Sequence, residues 1–259
     1  VGCHVNGIYL MTRPALTPFV GQPPSDTRNF ILSSLRPYLE GGDEKVLRLG
    51  HRAAQVVWAS AGLASWDAHV SGKLSPETDK ALRLMFRLQL QNGSWKVPDC
   101  WPPLQSSSYQ VATVAALAAA TAPGWISTLD EKDLAGKVEL LKNFLRSEVS
   151  PHGYDRVWLL WASAHFDGIL SLENRAEVID DIRTRQNEDG GWSLRAFGGP
   201  SGWKTENGTV GSEDRRFGSP VSDGHMTGLV LIGLREAGVP FSDPAVQRAM
   251  LWIDSNQRV

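Results

Sequence analysis

Two short stretches decide how this chain is read. Gln89-Leu90-Gln91-Asn92-Gly93-Ser94-Trp95 and Gln186-Asn187-Glu188-Asp189-Gly190-Gly191-Trp192 place Gln, Gly and Trp at identical internal spacing, 97 residues apart. Other markers recur around them in the same order. Trp58-Ala59-Ser60-Ala61 returns as Trp161-Ala162-Ser163-Ala164 after 103 residues, and Tyr109-Gln110-Val111-Ala112-Thr113 aligns with Asp223-Gly224-His225-Met226-Thr227 at an offset of 114. A sequence unit that repeats in this way is one supersecondary module, which buries its apolar face by stacking on the next.

Between the markers the apolar residues follow a helical period with almost no strand alternation. Leu82, Met85, Phe86 and Leu90 share one face, as do Val138, Leu141, Phe144 and Leu145, and Val246, Ala249, Met250 and Ile253. Helix starts carry matching chemistry: Ser75 before Pro76, Asp243 before Pro244, and Thr128 three residues ahead of Glu131, the capping-box spacing. The pattern predicts helices near 26–40, 46–63, 76–91, 108–121, 130–147, 154–166, 173–186, 224–237 and 244–256. Four helices per repeat make two helical hairpins, which stack into a solenoid or close into a ring. The connection from Ser193 to Ser222 is rich in Gly and charge and has no usable period, as expected of a functional or partly disordered loop.

Composition narrows the function classes. The 259 residues hold 26 Lys and Arg against 28 Asp and Glu, so no broad basic field exists to release counterions from nucleic acid. No run of 18 apolar residues occurs; Val111 to Ala122 comes nearest and reads as a buried helix, so no transmembrane segment is expected. Two cysteines, Cys3 and Cys100, allow at most one disulfide and do not fix the redox compartment.

The Gln-xxx-Gly-x-Trp pattern at a helix end resembles the QW motif of the squalene/oxidosqualene cyclase and prenyltransferase superfamily. Its physical role is structural. The Gln89 and Gln186 amides can bond exposed backbone at a neighbouring helix end, Gly93 and Gly190 allow a left-handed turn, and Trp95 and Trp192 stack over the joint. The resemblance covers 45–259 and implies an all-α fold, an α/α toroid of inner and outer helices or a large section of one, with 1–44 as a distinct N-terminal segment. Met250 to Gln257 resembles a third motif that stops after its Gln.

What the resemblance implies for chemistry is divided. In the cyclases a DxDD motif opens an inner helix and its central Asp protonates the polyprene. Asp223 matches the first carboxylate, but His225 and Met226 stand at the last two positions, and a histidine is too weak an acid for that step. Prenyltransferase β-subunits carry a zinc-binding His in the column of His225. Their Asp-x-Cys half is missing, since Asp99-Cys100 is adjacent, so zinc held by Asp99, Cys100 and His225 is disfavoured. Trp58, Trp161 and Phe166 read either as core or as the lining of an aromatic cavity for an apolar or isoprenoid ligand.

Gly2-Cys3-His4 matches the end of the c-type haem attachment motif, complete if Cys precedes Val1. The segment also resembles a haem-like stretch that precedes QW-type toroids in some exported bacterial proteins. That reading makes Cys3 and His4 the sites of covalent haem c, with His4 on the iron, Met11 a candidate distal ligand, a redox partner, and a location outside the cytoplasm. A packed Cys beside an incidental His, or a lipobox-like Val-Gly-Cys, is the competing reading. His165 and Asp167 form a cap pair or a cavity pair, and Asp180-Asp181, about 100° apart on a helix, is solvated surface charge.

Two function classes follow. One is an exported apolar-ligand-binding or c-haem electron-transfer module that kept the toroid and lost the acid. The other is an enzyme acting on an isoprenoid, cyclase- or prenyltransferase-like, through Asp223 and His225. An interaction scaffold is a third, less specific reading.

Overall fold

A computed structural model describes residues 3–41, 52–97, 107–198, 203–205, 208–210 and 220–257. The described chain is helical, in the order α1 (Cys3–Thr12), α2 (Thr17–Val20), α3 (Ser25–Leu39), α4 (Ala53–Trp66), α5 (Pro76–Arg87), α6 (Ser108–Thr121), α7 (Lys132–Ser147), α8 (Gly153–Ala162), α9 (Leu172–Thr184), α10 (Gly224–Glu236) and α11 (Pro244–Asn256). Between α9 and α10 a two-stranded antiparallel hairpin, β1 (Trp203–Thr205) and β2 (Gly208–Val210), pairs Trp203 with Val210 and Thr205 with Gly208. The chain divides into two units. Unit 1 comprises Val1–Pro98 and Val111–Ser147, and unit 2 comprises Asp99–Gln110 and Glu148–Val259.

Unit 1 is organised around α4, whose residues are buried at every position but Gln55. A helix that is apolar all round must be covered on all sides. α1 and α3 cover part of it, and α5 packs along another face. Small residues set the close approach of α1: a Cβ at Gly62 would lie 2.9 Å from the Leu10 Cβ, and one at Gly7 would lie 3.1 Å from the Trp58 Cβ. The 1–44 stretch, expected as a separate segment, therefore contributes α1 and α3 to the core of unit 1, and the boundary at 44 falls outside the described residues. Positions 4 and 11 lie seven residues apart in the one helix α1, about 10 Å along its axis.

In unit 2, α8 packs against α9, α10 and the short 3-10 turn Leu194–Phe197, while α10 packs against α11. Close packing again needs glycine, since a Cβ at Gly233 would meet the Val157 side chain at 3.3 Å.

From α3 onward the helix spans follow the period to within about four residues, with three local differences in caps, exposure and connections; α1 and α2 were not expected, and the start of the expected 46–63 helix lies outside the described residues. Ser75 and Asp243 cap α5 and α11 as their spacing predicts, Ser75 Oγ accepting from Thr78 N and Asp243 Oδ1 from Ala245 N. Thr128 does not cap α7. It ends a 3-10 turn, its hydroxyl donates back to the Gly124 and Trp125 carbonyls, and Glu131 instead pairs with Arg83. Leu90 and Met250 are exposed: Leu90 lies beyond the end of α5, and Met250 sits on the outer face of α11. The third difference is the hairpin in the 193–222 connection, which a segment of three residues per strand is too short to announce by alternation.

Candidate functional site

The two Gln-xxx-Gly-x-Trp stretches adopt one hydrogen-bond pattern, each within its own unit. Gln89 Nε2 donates to the Gly93 and Lys137 carbonyls, both at 3.0 Å, and Gln186 Nε2 to the Gly190 and Ala245 carbonyls, both at 2.8 Å. Trp95 Nε1 donates to the Met85 carbonyl and Trp192 Nε1 to the Ile182 carbonyl, each ten residues back and each at 2.8 Å. Gly93 and Gly190 have φ near +92° and +93°. A Cβ there would be strained by the backbone and would strike the carbonyl of Leu140 or Arg248. Gln186 reaches the first turn of α11, a neighbouring helix end as expected, while Gln89 reaches Lys137 in the second turn of α7, so each motif clips its turn to the helix after the next. These residues hold the fold and do no chemistry.

The residues with chemical potential gather in unit 2. Tyr154, Trp158 and Trp161 lie at i, i+4 and i+7 on α8, one face of the helix. Trp158 and Trp161 stack at 5.4 Å and 25°, and Tyr154 meets Trp158 edge-on at 6.2 Å. The row runs from Tyr154 and Trp158, both buried, to the half-exposed Trp161. At its buried end the Tyr154 hydroxyl is 3.0 Å from His225 Nε2 on α10, with the two rings stacked. Trp203 of β1 packs edge-on against Tyr154 at 5.6 Å and lies 4.9 Å from the His152 ring.

Burial sets the charge states at this end. Loss of solvation pushes the Tyr154 phenol far above its ordinary range, so it stays neutral and can donate to His225. His225 is exposed as a residue, yet its ring packs on Tyr154. Desolvation lowers its pKa below the usual imidazole value, against a smaller opposing pull from Asp223. Between the phenol and a neutral His225 the donor is set by the imidazole tautomer.

Asp223, a candidate catalytic residue with His225, bonds backbone through both carboxylate oxygens. Its Oδ1 accepts from Met226 N at 2.8 Å as the N-cap of α10, and its Oδ2 accepts from Leu194 N at 2.6 Å. Its own N–H donates to the Trp192 carbonyl. The carboxylate therefore starts a helix and clamps the turn that follows the second motif.

Beside the aromatic row, His152 and Asp155 form a fully buried pair, Nδ1 to Oδ2 at 3.2 Å. Ser107 Oγ donates to the same Oδ2 at 2.7 Å and accepts from Gln110 N. The Ser107 proton thus points at the carboxylate and not at the imidazole, which is the wrong order for a nucleophile activated by histidine.

The structure separates the other expected site residues. Trp58 is buried in unit 1 against α1, while Trp161 and Phe166 belong to unit 2. Phe166 is buried four residues beyond the end of α8, and Trp161 joins the aromatic row. His165 is exposed and pairs with Glu236 at 2.8 Å, and Asp180 and Asp181 pair with Arg183, Arg185 and Arg156. Asp99 and Cys100 lie outside the described residues, as do the side chains of Cys3 and His4. Among the described residues no group of three His, Cys, Asp or Glu side chains could hold a metal, and no helix is long and apolar enough to cross a membrane.

Tyr154, Trp158, His152, Asp155 and Trp203 were not singled out in the sequence. The 154, 158, 161 spacing was readable there, as was the i, i+3 spacing of His152 and Asp155. Trp203 had no local signal. No family model matches the chain, and no curated protein does.

Proposed function

We propose that the chain is a terpene-cyclase-like helical-repeat protein that binds an apolar, isoprenoid-type ligand without transforming it. The observation that carries this reading is the start of α10, where the column of the proton-donating Asp holds His225 and the one carboxylate left, Asp223, has a backbone N–H on each oxygen. An acid that protonates an alkene has to present its proton to the substrate, whereas this side chain is spent on capping α10 and holding Leu194. The aromatic row of α8 supplies what a binder needs: a stacking surface graded from buried to half-exposed, with the Tyr154–His225 pair as a polar end. A long apolar ligand with one hydroxyl suits both features, its chain against Trp158 and Trp161 and its hydroxyl exchanging bonds with Tyr154 and His225.

Titration with farnesol, followed by tryptophan fluorescence, tests this directly. The expected result is saturable quenching that Trp161→Ala weakens by about tenfold, the loss of one aromatic contact and its buried area. Linear, non-saturating quenching that is the same in the variant would overturn the reading.

A further inference from the structure

The aromatic row of α8 joins a half-exposed ring to a buried one that has a base beside it. Trp161, Trp158 and Tyr154 follow one another with centroids 5.4 and 6.2 Å apart, and the Tyr154 hydroxyl lies 3.0 Å from His225 Nε2. Indole and phenol are among the side chains that give up a single electron most readily, and rings this close exchange one directly. Space filling accounts for the rings but not for the hydroxyl. Phenylalanine would fill the place of Tyr154 without carrying a polar group into a fully buried site, where that group must have a partner. The partner is an imidazole on a residue exposed at the start of α10, so a proton leaving the phenol has a way out of the core.

We infer that this row is a one-electron relay: an oxidant in solvent takes an electron from Trp161, the vacancy passes through Trp158, and it rests on Tyr154 as a neutral phenoxyl radical with the phenol proton on His225. The oxidant is a one-electron acceptor and gains that electron. The Tyr154 O–H bond breaks, an N–H bond forms at His225 Nε2, and no heavy atom is transferred. The imidazole tautomer required, with its hydrogen on Nδ1, is the one to which the buried hydroxyl can donate. Burial holds the phenol neutral far above its ordinary range, so the electron cannot leave from a phenolate and leaves with the proton. An oxidised phenol is a strong enough acid to protonate even the desolvated His225 ring, whereas an indole cation that keeps its proton lies higher in energy. The vacancy therefore runs inward. Trp158 and Trp203, both buried, pack edge-on against the phenol and keep solvent off the radical. A one-electron reductant acting at Trp161 reverses the sequence, and the proton returns from His225. Every residue of the relay lies in unit 2, and none of its steps rests on the ligand reading.

The test is flash photolysis of the whole chain with ruthenium tris-bipyridine and a cobalt(III) ammine as sacrificial acceptor, which makes ruthenium(III) in solution as the one-electron oxidant. Transient absorption and low-temperature EPR follow the radicals. Tyr9→Phe and Tyr38→Phe, both at half-exposed positions of unit 1, first remove the tyrosines that ruthenium(III) can oxidise directly, leaving Tyr109 and Tyr154, both buried. In that chain the inference predicts a tryptophan radical band that decays as a tyrosyl radical band grows, with slower growth in D2O. Adding Tyr154→Phe or Trp161→Phe abolishes the tyrosyl signal. Adding His225→Gln keeps the tryptophan radical and abolishes its conversion. The inference fails if no tyrosyl radical forms, if its growth is the same in D2O, or if it survives in a folded Tyr154→Phe or Trp161→Phe chain. It fails too if conversion proceeds unchanged in His225→Gln. Circular dichroism checks the folding of each variant, and His225→Gln, at an exposed residue, keeps the test decisive where a core variant does not fold.

Discussion

The Tyr154 hydroxyl and His225 Nε2 meet at 3.0 Å across α8 and α10, with their ring centroids 5.8 Å apart and nearly parallel. At this contact Nε2 can accept from the phenol, or an Nε2–H can donate to the phenol oxygen, so the pH dependence comes from the desolvation of the ring. Desolvation depresses the His225 pKa in the folded chain, so the unfolded chain binds its proton first as pH falls. The stability contributed is complete above about pH 6.5, the unfolded value, and is lost as pH drops through the lower folded value. The expected outcome is a His225 ring resonance that titrates below 6.5, and a melting temperature that falls between pH 7.5 and 5 less steeply in His225→Gln than in the native protein. A ring that titrates above 6.5 would contradict the buried contact.

Asp223 is the second point at which structure and chemistry part. Asp223→Ala removes an N-cap, worth about 1 kcal/mol, and leaves Leu194 N without its acceptor, a further 1–3 kcal/mol. Chemical denaturation should show a total loss of about 2–4 kcal/mol. Farnesol affinity of the folded fraction should stay within about twofold, since no aromatic contact is touched.

The glycines of the clipped turns make an internal contrast. Gly93→Ala and Gly190→Ala each force a Cβ into a positive-φ backbone and against a helix carbonyl, and each should cost about 2 kcal/mol or more. Gly136→Ala, inside α7 with open space around it, should instead stabilise by about 0.5–1 kcal/mol. Thermal melts of the three variants would show opposite signs, and equal signs would contradict the packing described.

Trp192→Phe keeps most of the apolar volume and removes one buried indole bond to the Ile182 carbonyl. The Ile182 carbonyl keeps the Arg185 N–H, so the loss of the indole bond should cost about 0.5–1.5 kcal/mol. Trp95→Phe should cost a similar amount because its bond to the Met85 carbonyl is the same. A large inequality between them would mean that the repeats are less alike than their geometry.

Most of the fold was legible because the signals were local and repeated. The 3.6-residue period placed α5, α6 and α11 to within a few residues, and identical Gln-xxx-Gly-x-Trp spacing led to turns with the same hydrogen bonds. The corrections arise where partners come from far along the chain. Thr128 had the spacing of a cap but finds carbonyls in its own 3-10 turn, and α1 is short and apolar without a stripe, so its burial depends on Gly62 of α4. The site was legible only in part. Asp223 and His225 stood out as motif positions, while their roles rest on Leu194, Tyr154 and Trp203, whose proximity no spacing encodes.

Binding without turnover is the central claim, and one measurement addresses it most directly. The protein is incubated with squalene and with farnesol in D2O, separated from free ligand, and the bound fraction is extracted for mass spectrometry. The account predicts bound ligand recovered with its skeleton and mass unchanged. A cyclised product carrying one carbon-bound deuterium, or no bound ligand from either compound, would contradict it.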